Sequence, residues 1–312
     1  MIPALLAALL FQPAPDMLRR LYEEALVRRQ REYGVSDPRT AQAARDLGLF
    51  LQRAGDKTAA RKALEEVLRI DEIILGATAV QTLEDADTLA SVSPPADAER
   101  LLRRAAESPD ALVAGPALTT LADLRKAVGD RSGAALFLRR ALAKAEAVDA
   151  GDGPTVAHVL NSLALLVEPK EGVVLLNRAL GIDRRNLGEA HVETATTEIS
   201  LSRLLLSIGR TADAVQISLD ALTTVETGLG SDHPLTATAA SGLAHALQVY
   251  GDRAGAERLY RRALAIDQQS LGSRHAQTLK DVRDLAALLR QSGRLAEATA
   301  LERRFKAGVS EH

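Results

Sequence analysis

The chain has 312 residues, 46% apolar and 26% charged, proportions of a folded protein rather than a disordered one. Aromatic residues reach only 3% and Trp is absent, so the interior has to be built from Ala and Leu, which suits closely spaced helices. No cysteine is present, which excludes disulfides, thiolate metal sites, iron–sulfur clusters and cysteine nucleophiles, and a formal charge of −2 supplies no basic field for nucleic acid.

Residues 1–11 read MIPALLAALLF, an apolar run with no charged side chain. It is too short to span a bilayer as a helix. Its length fits the apolar region of a signal peptide, although the basic start and an A-x-A cleavage site are missing. Read instead as a helix, it puts Leu5, Ala8 and Leu9 where Leu243, Ala246 and Leu247 fall in a later unit. Residues 1–15 are therefore a possible signal peptide or a capping helix, with an exported or periplasmic location set ahead of a cytoplasmic one.

From residue 16 the chain repeats. Three segments align without gaps at a spacing of 42, starting at Gly188, Gly230 and Gly272, and each carries a second glycine 21 residues on, at Gly209, Gly251 and Gly293. The same grid reaches back through Gly34 and Gly55, Gly76, Ser108 with Gly129, and a variant unit at Gly151. Residues 16–312 are thus expected to form a single solenoid, with a half unit at 16–33 and units starting near 34, 76, 108, 151, 188, 230 and 272. Within a unit, Leu243, Ala244 and Leu247 form one helical stripe, and Ala256, Tyr260, Ala263 and Leu264 form a second after the turn. Glycine ends the first helix, where a left-handed residue is needed. Prolines fall in turns (Pro38, Pro94, Pro95, Pro169, Pro234) or near helix starts (Pro109, Pro116, Pro154). The units from Gly76 and Gly151 each lose about one helical turn, which predicts irregular stacking between Gly76 and Gly188.

Thr40, Thr82, Thr194, Thr236 and Thr278 stand seventh in their units, where the hydroxyl is expected to cap the first helix by accepting a backbone N–H. His191, His233 and His275 lie 42 apart. Stacked repeats are separated by about 10 Å, whereas one metal needs its ligands at about 2 Å. These histidines are therefore turn residues, and neither a metal nor a cofactor is expected. The chain has no Gly-rich phosphate loop, no H-E-x-x-H, no G-x-S-x-G and no non-repeat block large enough for a catalytic domain, so the expectation is no enzyme activity.

The order Leu243-Ala244, Leu247, Gly251, Ala256, Tyr260, Ala263 resembles the tetratricopeptide repeat signature. The 42-residue unit with the turn His233-Pro234-Leu235-Thr236 is similar to the variety found in kinesin light chains and many bacterial proteins, and the likeness runs over residues 18–305. It implies an all-α solenoid of about fifteen helices in antiparallel pairs, wound as a right-handed superhelix with the first helices lining a concave groove. By that resemblance, groove positions lie two before, two after and five after the first-helix Leu. They give Arg45 and Gln52 with Arg53 adjacent, then Asn161, Arg203, His245 and Gln248, and finally Arg283 and Arg290 with Lys280 one turn earlier. Arg beside Asn and Gln suits an extended peptide with acidic or C-terminal carboxylate groups. The arginines are expected to carry affinity with little effect on stability, because most have no acid at helical spacing. The function implied is a non-catalytic scaffold that takes a protein or peptide in its groove, with neither nucleic acid nor a membrane span. The alternative is a peptide-sensing regulator that changes superhelical pitch on binding.

Overall fold

A computed structural model describes residues 15–148 and 151–307; all but the last residue of the 1–15 leader or capping-helix expectation lies outside the described residues. Among the described residues fifteen α-helices follow one another and no strand occurs. The chain divides into two compact units, Met1–Val148 and Asp149–His312, at the variant repeat beginning near Gly151. The first unit holds α1 (Pro15–Tyr33), α2 (Pro38–Arg53), α3 (Lys57–Ile74), α4 (Val80–Ala90), α5 (Pro95–Ala106), α6 (Ala111–Ala127) and α7 (Arg131–Val148). The second holds α8 (Pro154–Ala164), α9 (Pro169–Asn186), α10 (Val192–Ser207), α11 (Thr211–Leu229), α12 (Pro234–Tyr250), α13 (Arg253–Ser270), α14 (Ala276–Gln291) and α15 (Leu295–Ala307).

Within each unit every helix packs on the next, and the first helices also meet: α4 touches α6, and α10 touches α12. Small side chains allow this. Ala44, Leu47, Leu51, Ala60 and Leu64 are buried together between α2 and α3, and a Cβ on Gly48 would lie 2.7 Å from Leu64. In the second unit Ala240, Leu243 and Ala263 share one cluster, and Tyr260, Leu285, Ala286 and Leu289 share the next. The glycine grid is a grid of left-handed turns: Gly251 closes α12 with φ +109°, a conformation that costs a β-branched residue heavily. The shortened units appear as short helices, 11 residues in α4 and α8 against 16 in α2 and 17 in α12. No helix among the described residues is long and apolar enough to cross a membrane.

Two local expectations need correction. The repeated threonines are not N-caps. Thr236 is the third residue of α12, fully buried, and its hydroxyl donates to the Gly230 carbonyl at 2.7 Å; Thr40, Thr82, Thr194 and Thr278 do the same to Gly34, Gly76, Gly188 and Gly272. The cap is the histidine of the turn. Nδ1 of His191, His233 and His275 accepts from the backbone N–H two residues on at 3.1–3.2 Å, as the Asp37 carboxylate does at 2.9 Å in the first repeat. Pro116 lies inside α6 rather than near its start, because the helix begins at Ala111. Pro38, Pro95, Pro154, Pro169 and Pro234 each open a helix, where a missing N–H leaves no bond unmade.

Candidate functional site

Two residues along a helix is a rotation of about 200°, so a side chain two after a buried Leu faces the opposite way. Leu201, Leu243 and Leu285 are buried, and Arg203, His245 and Ala287 accordingly stand exposed on α10, α12 and α14. These three helices shape a groove of about 580 Å³ in the second unit. Ile199, Leu206 and Ala287 give it apolar walls; Arg203, His245, Gln248, Lys280 and Asp284 give it polar ones; Tyr260 lies behind, its hydroxyl donating to Gln248 at 3.1 Å. Burial and the nearby Asp284 and Asp281 push that hydroxyl above the usual tyrosine range. Four of the sequence-derived residues, Arg203, His245, Gln248 and Lys280, therefore come together on one surface.

The others are placed differently. Arg45 is mostly buried and clamps two acids: Nε donates to Asp85 at 2.8 Å, Nη2 to Asp85 at 2.9 Å, and Nη2 to Asp71 at 2.8 Å. Burial and the adjacent Asp85 still raise the Asp71 carboxyl to about 6, with Arg45 opposing. Gln52 donates to Ser91, the residue closing α4, at 2.8 Å, and Asn161 to Thr197 of α10 at 3.1 Å. Gln248 likewise donates to Gln291 at 2.7 Å. Arg290 pairs with Glu302 at 2.7 Å and Lys280 with Asp284 at 2.9 Å. Arg53, Arg203 and Arg283 are exposed and make no ion pair among the described residues. Arg283 occupies the position from which Arg45 reaches the next first helix; no later first helix is present among the described residues.

Arg45, Lys280 and Arg290 thus have acidic partners, although the expected lack of an acid at helical spacing concerned the arginines and holds for Arg45 and Arg290. Asp284 lies at helical spacing from Lys280, and the acids of Arg45 and Arg290 come from other helices. Sequence reasoning also missed the buried acids Asp71, Asp183 and Asp267, although each stands five residues before an inter-unit glycine, at Gly76, Gly188 and Gly272. Burial raises the Asp183 carboxyl, with a hydrogen bond from Thr197 opposing. Glu198 is pushed up for the same reason, with Arg184 opposing at 2.8 Å.

Helix pairs stacked through Ala and Leu, with left-handed glycine turns 21 residues apart from Gly34 to Gly76 and from Gly188 to Gly293, define an α-solenoid of repeats. A tetratricopeptide repeat family matches residues 15–73, and a second family of the same name matches residues 194–235 and 236–277. Over residues 15–73 and 194–277 the chain carries tetratricopeptide repeats. Among solved structures, the nearly identical TPR-like repeats of a kinesin light chain from Podosopora anserina are similar at 23% identity and TM-score 0.55, over 66% of this chain and 100% of that one. A Rap protein complexed with competence and sporulation factor is similar at 16% identity and TM-score 0.55, over 85% of this chain and 75% of that one. A STAND protein with a tetratricopeptide repeat sensor from Pyrococcus horikoshii is similar at 14% identity and TM-score 0.64, over 95% of this chain and 49% of that one. Identities this low speak for a common fold. No curated protein matches the chain in sequence.

Proposed function

We propose that the protein is a non-catalytic interaction scaffold that holds an extended, acidic segment of a partner protein in the groove of α10, α12 and α14. One observation carries this reading: Arg203 stands exposed between Ile199 and Leu206 on the groove wall and has no ion pair among the described residues. Its guanidinium is open to a bidentate carboxylate, while Gln248 and His245 offer polar contacts to an extended backbone. Lys280 adds little net charge because Asp284 holds it. Arg53 and Arg283 extend exposed positive charge on the first helices of their own units. The likeness to a Rap protein complexed with competence and sporulation factor supports a role in holding a partner.

Selection from a random peptide library against the whole protein tests the proposal. Enrichment of sequences rich in Asp and Glu, or ending in a free carboxylate, is the expected result; a basic consensus, or no enrichment, goes against it. The second reading, a receptor that changes pitch on binding, draws support from the division into two units after Val148 and from the short helices α4, α5 and α8. Solution scattering with and without a selected peptide separates the two: a changed radius of gyration favours the receptor, an unchanged one the fixed scaffold.

A further inference from the structure

Three junctions between a second helix and the following first helix use the same pair of positions. The residue two before the preceding first-helix Leu reaches into the same place. At the first junction Asp71 and Asp85 meet, and Arg45 donates to both at 2.8–2.9 Å. At the second, Asp183 meets a hydroxyl instead of an acid: Thr197 donates to it at 2.8 Å, and Asn161 donates to Thr197 at 3.1 Å. At the third, between α13 and α14, Asp267 meets Asp281, and the position that carries arginine in the first repeat is Ser241.

Both Asp267 and Asp281 are completely buried. The Ser241 hydroxyl donates to Asp281 Oδ1 at 2.9 Å, with Gln277 Nε2 more distant at 3.5 Å. Both oxygens of Asp267 and Oδ2 of Asp281 have no donor. The two carboxyl groups are neighbours, each acting on the other's ionisation. Two adjacent carboxylates away from water cannot both stay ionised at low cost, and a single proton between them supplies the missing donor. The charged and titratable groups around the pair do not replace that proton. From the turn comes His275 and from α14 Lys280, both exposed and both favouring ionisation of Asp267. Lys280 is held by Asp284 at 2.9 Å. On α13, Tyr260 directs its hydroxyl to Gln248, and α12 presents Ser241.

We infer that the α13–α14 junction is a proton-held joint: in mildly acidic solution Asp267 and Asp281 share one proton, and losing it loosens the last repeat against the one before it. Burial, reinforced by Asp267 and opposed by Ser241, pushes the Asp281 carboxyl up to about 7. An Asp in an opened chain titrates near about 3.9. The closed joint therefore keeps a proton that the open one releases, so closure is strongest below about pH 4, weakens as the pH rises to about 7, and changes little beyond. Within that window the opening equilibrium rises by up to about tenfold per pH unit. Ser241 and Gln277 also line the groove, so the state of the pair reaches its wall.

Hydrogen exchange of the full chain, read by mass spectrometry and corrected for the intrinsic rate, tests the joint directly. Protection in α13 and α14 should fall by up to about a hundredfold between pH 5 and pH 7, and α11 should not follow that slope. In Asp281→Asn the amide keeps an acceptor for Ser241 and gives Asp267 a donor. Its α13–α14 protection should be independent of pH and close to that of the wild type at pH 5. A flat wild-type profile, a slope shared equally by every helix, or a slope that persists in Asp281→Asn would overturn the inference. Should that variant not fold, the wild-type profile alone still decides.

Discussion

Replacing Arg45 with alanine should destabilise the first unit by about 3 kcal/mol, the lower end of what removing one partner of a buried ion pair costs. The structure places the figure there. The Asp71 and Asp85 side chains are 6% and 3% exposed, and Arg45 is itself only 18% exposed, so its three hydrogen bonds to these acids are little screened by water. Without the guanidinium, two acids would face each other with no cation between them. Protonation of Asp71, already raised to about 6, limits the damage. That limit fixes the sign of the pH dependence. Carboxyls whose folded pKa lies above the unfolded one gain stability as the pH falls, so the deficit of Arg45→Ala should shrink from pH 8 to pH 5. Urea unfolding followed by far-ultraviolet circular dichroism at both pH values measures this, with Arg203→Ala as the exposed comparison, expected to stay within about 0.5 kcal/mol of the wild type. A loss for Arg45→Ala no larger than that of Arg203→Ala, or a deficit that grows in acid, would refute the reasoning.

Removing the turn cap in His233→Ala should cost about 1 kcal/mol, while His233→Asp, which restores the acceptor found at Asp37, should melt at or above the wild-type temperature. Ala263 is fully buried between helices, so Ala263→Leu should overpack by about 1–3 kcal/mol, and an unchanged melting temperature would mean the side chain has another way out. Gly251→Val forces a branched residue to φ +109° and should cost about 1–3 kcal/mol, although no atom stands within 4 Å of a Cβ there.

The helix pairs were legible because they rest on demands that one residue position can show. A left-handed turn calls for glycine, and Gly209, Gly251 and Gly293 answer it at a fixed interval. Buried helix faces repeat every 3.6 residues, and Leu243, Ala244 and Leu247 follow that period. The exposed groove residues Arg203 and His245 were legible for the same reason, through their phase relative to Leu201 and Leu243. What stayed hidden depends on groups far apart along the chain. Arg45 meets acids 26 and 40 residues away, beyond the reach of spacing along its own helix. The threonine reading failed on chemistry: a hydroxyl can donate as well as accept, and only the start of α12 at Pro234 shows that Thr236 donates to Gly230.

Charge reversal in the groove addresses the central claim most directly. Binding of a selected acidic peptide, labelled with a fluorophore and followed by anisotropy, should weaken at least tenfold in Arg203→Glu and lose part of its salt dependence, while circular dichroism of the variant stays that of the wild type. Arg53→Glu in the first unit should leave the affinity within about twofold, since Arg53 does not line that groove and its exposed charge is screened by salt. Unchanged affinity in Arg203→Glu, with binding abolished by Arg53→Glu, would contradict the account and move the site out of the groove of α10, α12 and α14.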